Sequence, residues 1–556
     1  MFKAFLIVII AFMLETELNA QTARTMVLSD SVQTGWVRQY ISGYTPPFDF
    51  AYAIDLDASG NIYVTGSSYG SDQQPDFVTI KYNSSGDTLW VRRYNGPGNN
   101  WDIARAITID AAGNVYVAGE TYSESTDFNY ATIKYDAGGN QVWVVQYNGT
   151  SNNDDGALAL TVDGSGNVYV TGHSWQAGTS WDYATIKYNS AGVQQWVARY
   201  NGPGNIADFA VALGIDPSGN VYVTGTSDDL SVNFFPAYAT VKYNSSGVQQ
   251  WVARYNVLWS YASAIAVDNS GNAYVTGRSY ALGTYYDYAT VKYNTSGAQQ
   301  WVSRYNGPGN SDDYATSIAI DGSGNAYVTG EAFFVPNEGS DYATLKYNSS
   351  GVQQWVARYN GPASSVDVAN DIVVDGAGNV YVTGESRGLV TEDDYATIKY
   401  NSSGVEQCIA RYNGQGNTFD LASALAVDAL GNIYVTGRST QTGGSIITTI
   451  KYVLVPVSVQ GQNTEIPLGF SLEQNYPNPF NPMTKIRFNV ASVLRTDIKL
   501  VIYDITGSEI AVLVNQPLQP GTYEAEWDGS NYPTGIYFYR ITAGDYNETK
   551  KMMFIK

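Results

Sequence analysis

Gly219-Asn-Val-Tyr-Val-Thr-Gly225 decides how this sequence is to be read. The pattern Gly-Asn-x-Tyr-Val-(Thr/Ala)-Gly occurs eight times, opening at Gly60, Gly113, Gly166, Gly219, Gly271, Gly324, Gly378 and Gly431, with 52 to 54 residues between copies. A fixed period of this length marks a repeat architecture in which no unit can bury its own faces alone. Tyr, Val and Thr favour strands, whereas Gly and Asn favour the turns between them.

Two more strings fill each unit. Thr-(Ile/Val/Leu)-Lys-Tyr places its lysines at Lys81, Lys134, Lys187, Lys242, Lys292, Lys346, Lys399 and Lys451. Trp-Val-x-x-Tyr begins at Trp36, Trp90, Trp143, Trp196, Trp251, Trp301 and Trp355, and its eighth copy has Cys408 in the Trp position. Four short strands per unit follow; in the fourth unit they fall at 211–215, 220–224, 238–243 and 249–255. Asp216-Pro-Ser-Gly219 fits a type I turn closing the first hairpin, and Asn244-Ser-Ser-Gly247 closes the last. The fold class predicted is all-β, an eight-bladed β-propeller of four-stranded blades. No unit holds a helix-period run, which excludes helical solenoids.

The array opens on a lone Trp36-Val-Arg-Gln-Tyr40 strand and closes on Thr449-Ile-Lys-Tyr452. The last unit therefore lacks its outermost strand, and the first segment supplies one of that type. Pairing residues 36–40 onto the last blade removes an open edge.

The units resemble the bacterial β-propeller repeat family with the consensus D-x-x-G-N-x-Y-V-T-G, over residues 35–452. Beyond residues 453–468, which read as a linker, strand-like runs fall at 485–490, 499–504, 510–514, 522–527, 536–542 and 550–555, enough for a small Ig-like sandwich. Asn475, Tyr476, Pro477, Asn478, Pro479 and Phe480 open this module, with Trp527-Asp-Gly529 and Gly535-Ile-Tyr-Phe-Tyr-Arg540 further on. It resembles the type A sorting domain of the type IX secretion system over 469–556. That resemblance implies the secretion machinery as a partner, passage across the outer membrane of a Gram-negative bacterium, removal of the tag, and release or surface attachment.

Lys3 followed by the apolar run 4–14 reads as a signal peptide ending at residue 20, leaving 21–34 as an N-terminal segment. No later stretch approaches a membrane span. A formal net charge of −21 excludes an electrostatic nucleic-acid binder. One cysteine allows no intrachain disulfide, and one histidine, His173, excludes histidine-rich zinc sites. His173 follows Gly172 in what reads as a loop, with no nucleophile elbow around it, and Cys408 reads as a packing residue.

Carboxylates remain. Seven units carry Asp eight residues before the turn aspartate: Asp49, Asp102, Asp155, Asp208, Asp313, Asp367 and Asp420; the fifth unit has Ser260. Such a ring suits either a cation, calcium being the candidate, or the capping of backbone N–H groups, and the recurrence favours the structural role. The sequence requires no cofactor and offers no catalytic residue set.

Function is better sought where units differ. Segments between the second and third strands carry Tyr69, Tyr122, Trp175, Trp181, Phe234, Phe235, Tyr280, Tyr285, Phe333 and Phe334, and Val257-Leu-Trp259 replaces the usual Gly-Pro-Gly-Asn loop. Exposed rings on one propeller face suit a glycan or a surface-protein ligand. The leading expectation is a secreted or cell-surface, non-enzymatic binding protein. The alternatives are a carbohydrate-active lyase or glycosidase working through carboxylates, and an architectural envelope protein.

Overall fold

The computed structural model describes residues 27–70, 73–228, 235–333, 339–441, 443–463, 467, 469–491, 496–518, 521–530, 532–544 and 546–556. The expected signal peptide and the side chains of Phe234 and Phe334 lie outside them. The chain divides into two compact units, 34–453 and a second formed by residues up to 33 and from 454 onward. Every regular element among the described residues is a strand.

The fourth blade shows how the repeat builds the first unit. Asp208–Ile215, Val221–Ser227, Ala237–Tyr243 and Gln249–Tyr255 pair antiparallel in that order. Six other sheets repeat the arrangement. In the eighth, Asp420–Val427 and Ile433–Gln441 pair with the strand beginning at Gly444, and the N-terminal strand Val27–Tyr40 pairs with that strand in turn. The first strand of each blade touches the first strands of both neighbours, and those of the first and eighth blades touch each other, so eight blades close a ring.

The repeat's residue types follow from this geometry. Tyr222 is fully buried, its hydroxyl 3.1 Å from Asp216 Oδ2 and 2.8 Å from the Gly271 carbonyl of the next blade. The first strand bulges between Ala210 and Ala212. That bulge brings the Phe209 carbonyl so close to Gly225 that a Cβ at Gly225 would collide with it. The second glycine of the motif is therefore fixed by close approach.

Blades are locked to their successors on the outer edge. Trp196 Nε1 donates to the Ser245 carbonyl at 3.1 Å, its ring lies against Gly247 (φ 80°), and Lys187 Nζ donates to the same carbonyl at 3.3 Å. Trp36 repeats this on the first blade, donating to Ser84 at 3.2 Å while packing on Tyr82 and Tyr434. Ring closure thus uses the same lock as six of the other seven interfaces. Cys408 is buried where the next blade, the eighth, has no hairpin turn to receive an indole, because its fourth strand comes from the N-terminus.

The C-terminal unit is a sandwich. Glu509–Leu518, Thr496–Tyr503, Gly535–Ala543 and Tyr546–Phe554 form one sheet, while Gly521–Asp528, Met483–Val490 and Ser471–Leu472 lie in the other. Their facing sides bury a core that includes Phe480, Phe488, Trp527 and Phe554. Part of the stretch read as a linker is strand: Gln460, Gly461 and Asn463 pair with Glu524, Tyr523 and Thr522. These residues satisfy backbone groups on a neighbouring strand instead of in water.

Candidate functional site: the loop face of the propeller

The loops entering the innermost strands and the tips of the second–third hairpins share one face. Tyr122 N donates to the Trp101 carbonyl and Trp175 N to the Asp154 carbonyl, joining the two sets. Several aromatic residues read as loop residues lie in strands instead. Trp175 opposes Trp181, Tyr280 opposes Tyr286, and Tyr122 opposes Phe128, because these hairpins stay paired almost to their tips. His173 is likewise a strand residue, opposite Gly156, rather than a loop residue.

The recurring aspartates cap backbone. Asp208 Oδ2 accepts the Gly202 N–H at 2.6 Å, and Asp49, Asp102, Asp155, Asp313, Asp367 and Asp420 do the same for their own loops. Burial raises all seven above the usual carboxylate range, with Asp102 and Asp208 at about 6 and Asp313 at about 7. The turn aspartates Asp57, Asp110, Asp163, Asp321 and Asp375 behave oppositely. At Asp163, burial is outweighed by hydrogen bonds from Asn167, Ser165 and Tyr169, which hold it below its ordinary value. These are hairpin contacts of a polar turn. Among the described residues no group of three or more His, Cys, Asp or Glu side chains is arranged to hold a metal.

The residues that face each other just above the bulge differ from blade to blade. Opposite the second residue of each first strand stand Ser67, Glu120, His173, Thr226, Arg278, Glu331, Glu385 and Arg438. Glu120 pairs with Arg105 at 3.0 Å. His173 Nε2 lies 3.8 Å from Asp154 Oδ2, and its ring meets Phe209 edge-on. Trp181 Nε1 donates to the same carboxylate at 3.0 Å, which places both side chains in one packed cluster.

The fifth blade departs furthest. Its entry loop is shorter, Ser260 Oγ donates to the Val257 carbonyl at 2.8 Å in place of the aspartate cap, and aromatic rings gather around it. Phe235 and Tyr280 each stand 5.0 Å from Trp259, and Tyr285 and Tyr286 pack on Tyr280 at 6.4 and 5.7 Å. Beneath them the Arg278 guanidinium sits 4.7, 5.4 and 4.8 Å from the Tyr261, Tyr286 and Tyr314 rings. Sequence reading found the rim of this cluster and missed Tyr261, Arg278, Tyr286 and Tyr314, whose strand positions look like core until the blades are set side by side. Of the remaining expected residues, Tyr69 packs on Tyr44 and Phe48, whereas Phe333 N donates to Asp313.

The family models agree with this architecture. Residues 89–129, 195–230, 250–282, 300–332 and 354–389 match the Beta-propeller repeat, and residues 474–556 match the Secretion system C-terminal sorting domain. The chain carries β-propeller repeats and a type IX sorting domain, and it is destined for the cell surface or extracellular space of a Gram-negative bacterium. An uncharacterized WD repeat-containing protein, L264, of Acanthamoeba polyphaga mimivirus is 24% identical over 220 residues. That match covers 34% of this chain and 13% of the viral protein. The WD40 domain of SCAP from fission yeast is similar at 10% identity and a TM-score of 0.39, covering 74% of this chain and 98% of that one. Pyrococcus horikoshii acylaminoacyl peptidase is similar at 8% identity and a TM-score of 0.36, covering 69% and 57%.

Proposed function

We propose that this exported propeller binds an extracellular ligand on its loop face and performs no chemistry on it. Residues 1–20 act as the signal peptide and 469–556 as the export tag. One observation carries the reading: the recurrent polar residues are occupied by the scaffold, whereas residues at the loop face change from blade to blade. The repeat aspartates cap loops, and the outer-strand arginines clamp their own blades; Arg199, for example, holds Asp182 at 3.1 Å and the Ser174 carbonyl at 2.8 Å. A scaffold that repeats while its rim varies suits recognition.

The test is a glycan and surface-protein array probed with the full chain, with and without calcium. Binding that falls at least tenfold in Trp175→Ala, Trp181→Ala or Phe235→Ala, with thermal unfolding unchanged, assigns recognition to this face. Binding indifferent to every loop substitution removes the assignment.

A further inference from the structure

We propose that the rings around Tyr280 form a platform for a neutral polysaccharide, an inference that rests on the loop-face reading. Trp259 and Tyr285 are the exposed members, at 37% and 57% of their surface. Both hold left-handed backbone, with φ of 43° and 62°. Most other blades put Asn or Ser at the positive-φ position of the entry loop, such as Asn205 and Ser364, and Gln73, Asp127 or Ser180 take a positive φ at the hairpin tip. A bulky ring in this conformation is strained, and Asn or Asp relieves that strain, so the scaffold alone gives no reason for Trp and Tyr here.

The geometry suits a chain of sugar rings. Trp259 and Tyr285 both stand edge-on to Tyr280, at 82° and 86°, which fixes two exposed rings about one pivot. The C–H faces of consecutive pyranoses stack on such rings, leaving hydroxyls to meet polar groups. Those groups are of both kinds. Arg278 supplies donors, and its Nε is buried without an acceptor among the described residues. Asp312 accepts the Tyr286 N–H at 3.3 Å, and Glu331 accepts Ser340 Oγ at 2.9 Å. One cation against two carboxylates, in a chain of net charge −21, repels polyanions and favours uncharged hydroxyl-rich ligands. A protein partner would also bury Leu282, which projects at 87% exposure beside the rings.

Affinity electrophoresis of the full chain through xylan, mannan, mixed-linkage glucan and polygalacturonate tests the proposal. Retention by at least one neutral polymer is expected, reduced about tenfold or more in Trp259→Ala and Tyr285→Ala and partly kept in Trp259→Phe. Val193→Ser, on an exposed turn away from the rings, and Leu282→Ser should stay within about twofold. Thermal unfolding of each variant separates lost binding from lost fold, and comparison of neutral with charged polymers needs no variant. Retention by no neutral polymer, equal retention by polygalacturonate, or indifference to both ring substitutions overturns the inference. If a surface protein is instead bound through these rings, the polysaccharide falls and the loop-face reading stands; if no loop substitution affects any ligand, both fall.

Discussion

At the scale of single residues, the acidic composition conceals two populations of carboxylate. The loop caps are raised by burial, as is Glu385, at about 7. A folded-state value above the unfolded one stabilises fully below about pH 4 and is lost as pH rises through about 6 to 7. Asp57, Asp110, Asp163, Asp321 and Asp375, lowered on folding, stabilise above about pH 4 and lose that contribution in stronger acid. The propeller should therefore unfold at a higher temperature at pH 5 than at pH 8, with stability falling again below about pH 4. Asp313→Asn and Glu385→Gln should each flatten the upper part of that profile, measured by thermal unfolding across pH. An unchanged or steeper fall from pH 5 to pH 8 in these variants would contradict the assignment.

At the scale of the element, the fourth strand is where sequence and structure teach most. Cys408 was legible as a packing residue, but the reason it replaces the repeat's Trp was not. An indole here packs on the turn glycine of the following blade. The eighth blade's missing turn follows from its missing strand, but that the turn receives the indole is seen only in the assembled ring. Trp196→Ala should cost about 2–4 kcal/mol in chemical unfolding, through a cavity and the loss of its bond to Ser245. Cys408→Trp, although it restores the repeat, should bring no stabilisation; a gain would show that a turn-like receptor exists there after all. The eight-unit count and the N-terminal closing strand were readable because each follows from counting strings. The Arg278 cage was not, since its tyrosines come from three different strands of two successive blades.

At the scale of the whole molecule, stability is a sum over similar interfaces, each made by one blade on the next. The closing interface differs only in joining the two ends of the array. Removing residues up to Tyr40 should leave the eighth blade with an unpaired edge, lower the unfolding temperature, and promote self-association. Calorimetry and sedimentation would register both effects. Unchanged cooperativity would mean that closure adds nothing beyond the seven other interfaces.

The same clasp imposes an order in time. Residues 36–40 are made first, yet their partner strand begins at Gly444, more than four hundred positions later. Synthesis from the N-terminus keeps the circle open until the last repeat has emerged, and the sorting module follows it. Completion of the ring and delivery of the export tag are thus nearly simultaneous, so a chain truncated before its tag lacks its address shortly after its circle can close.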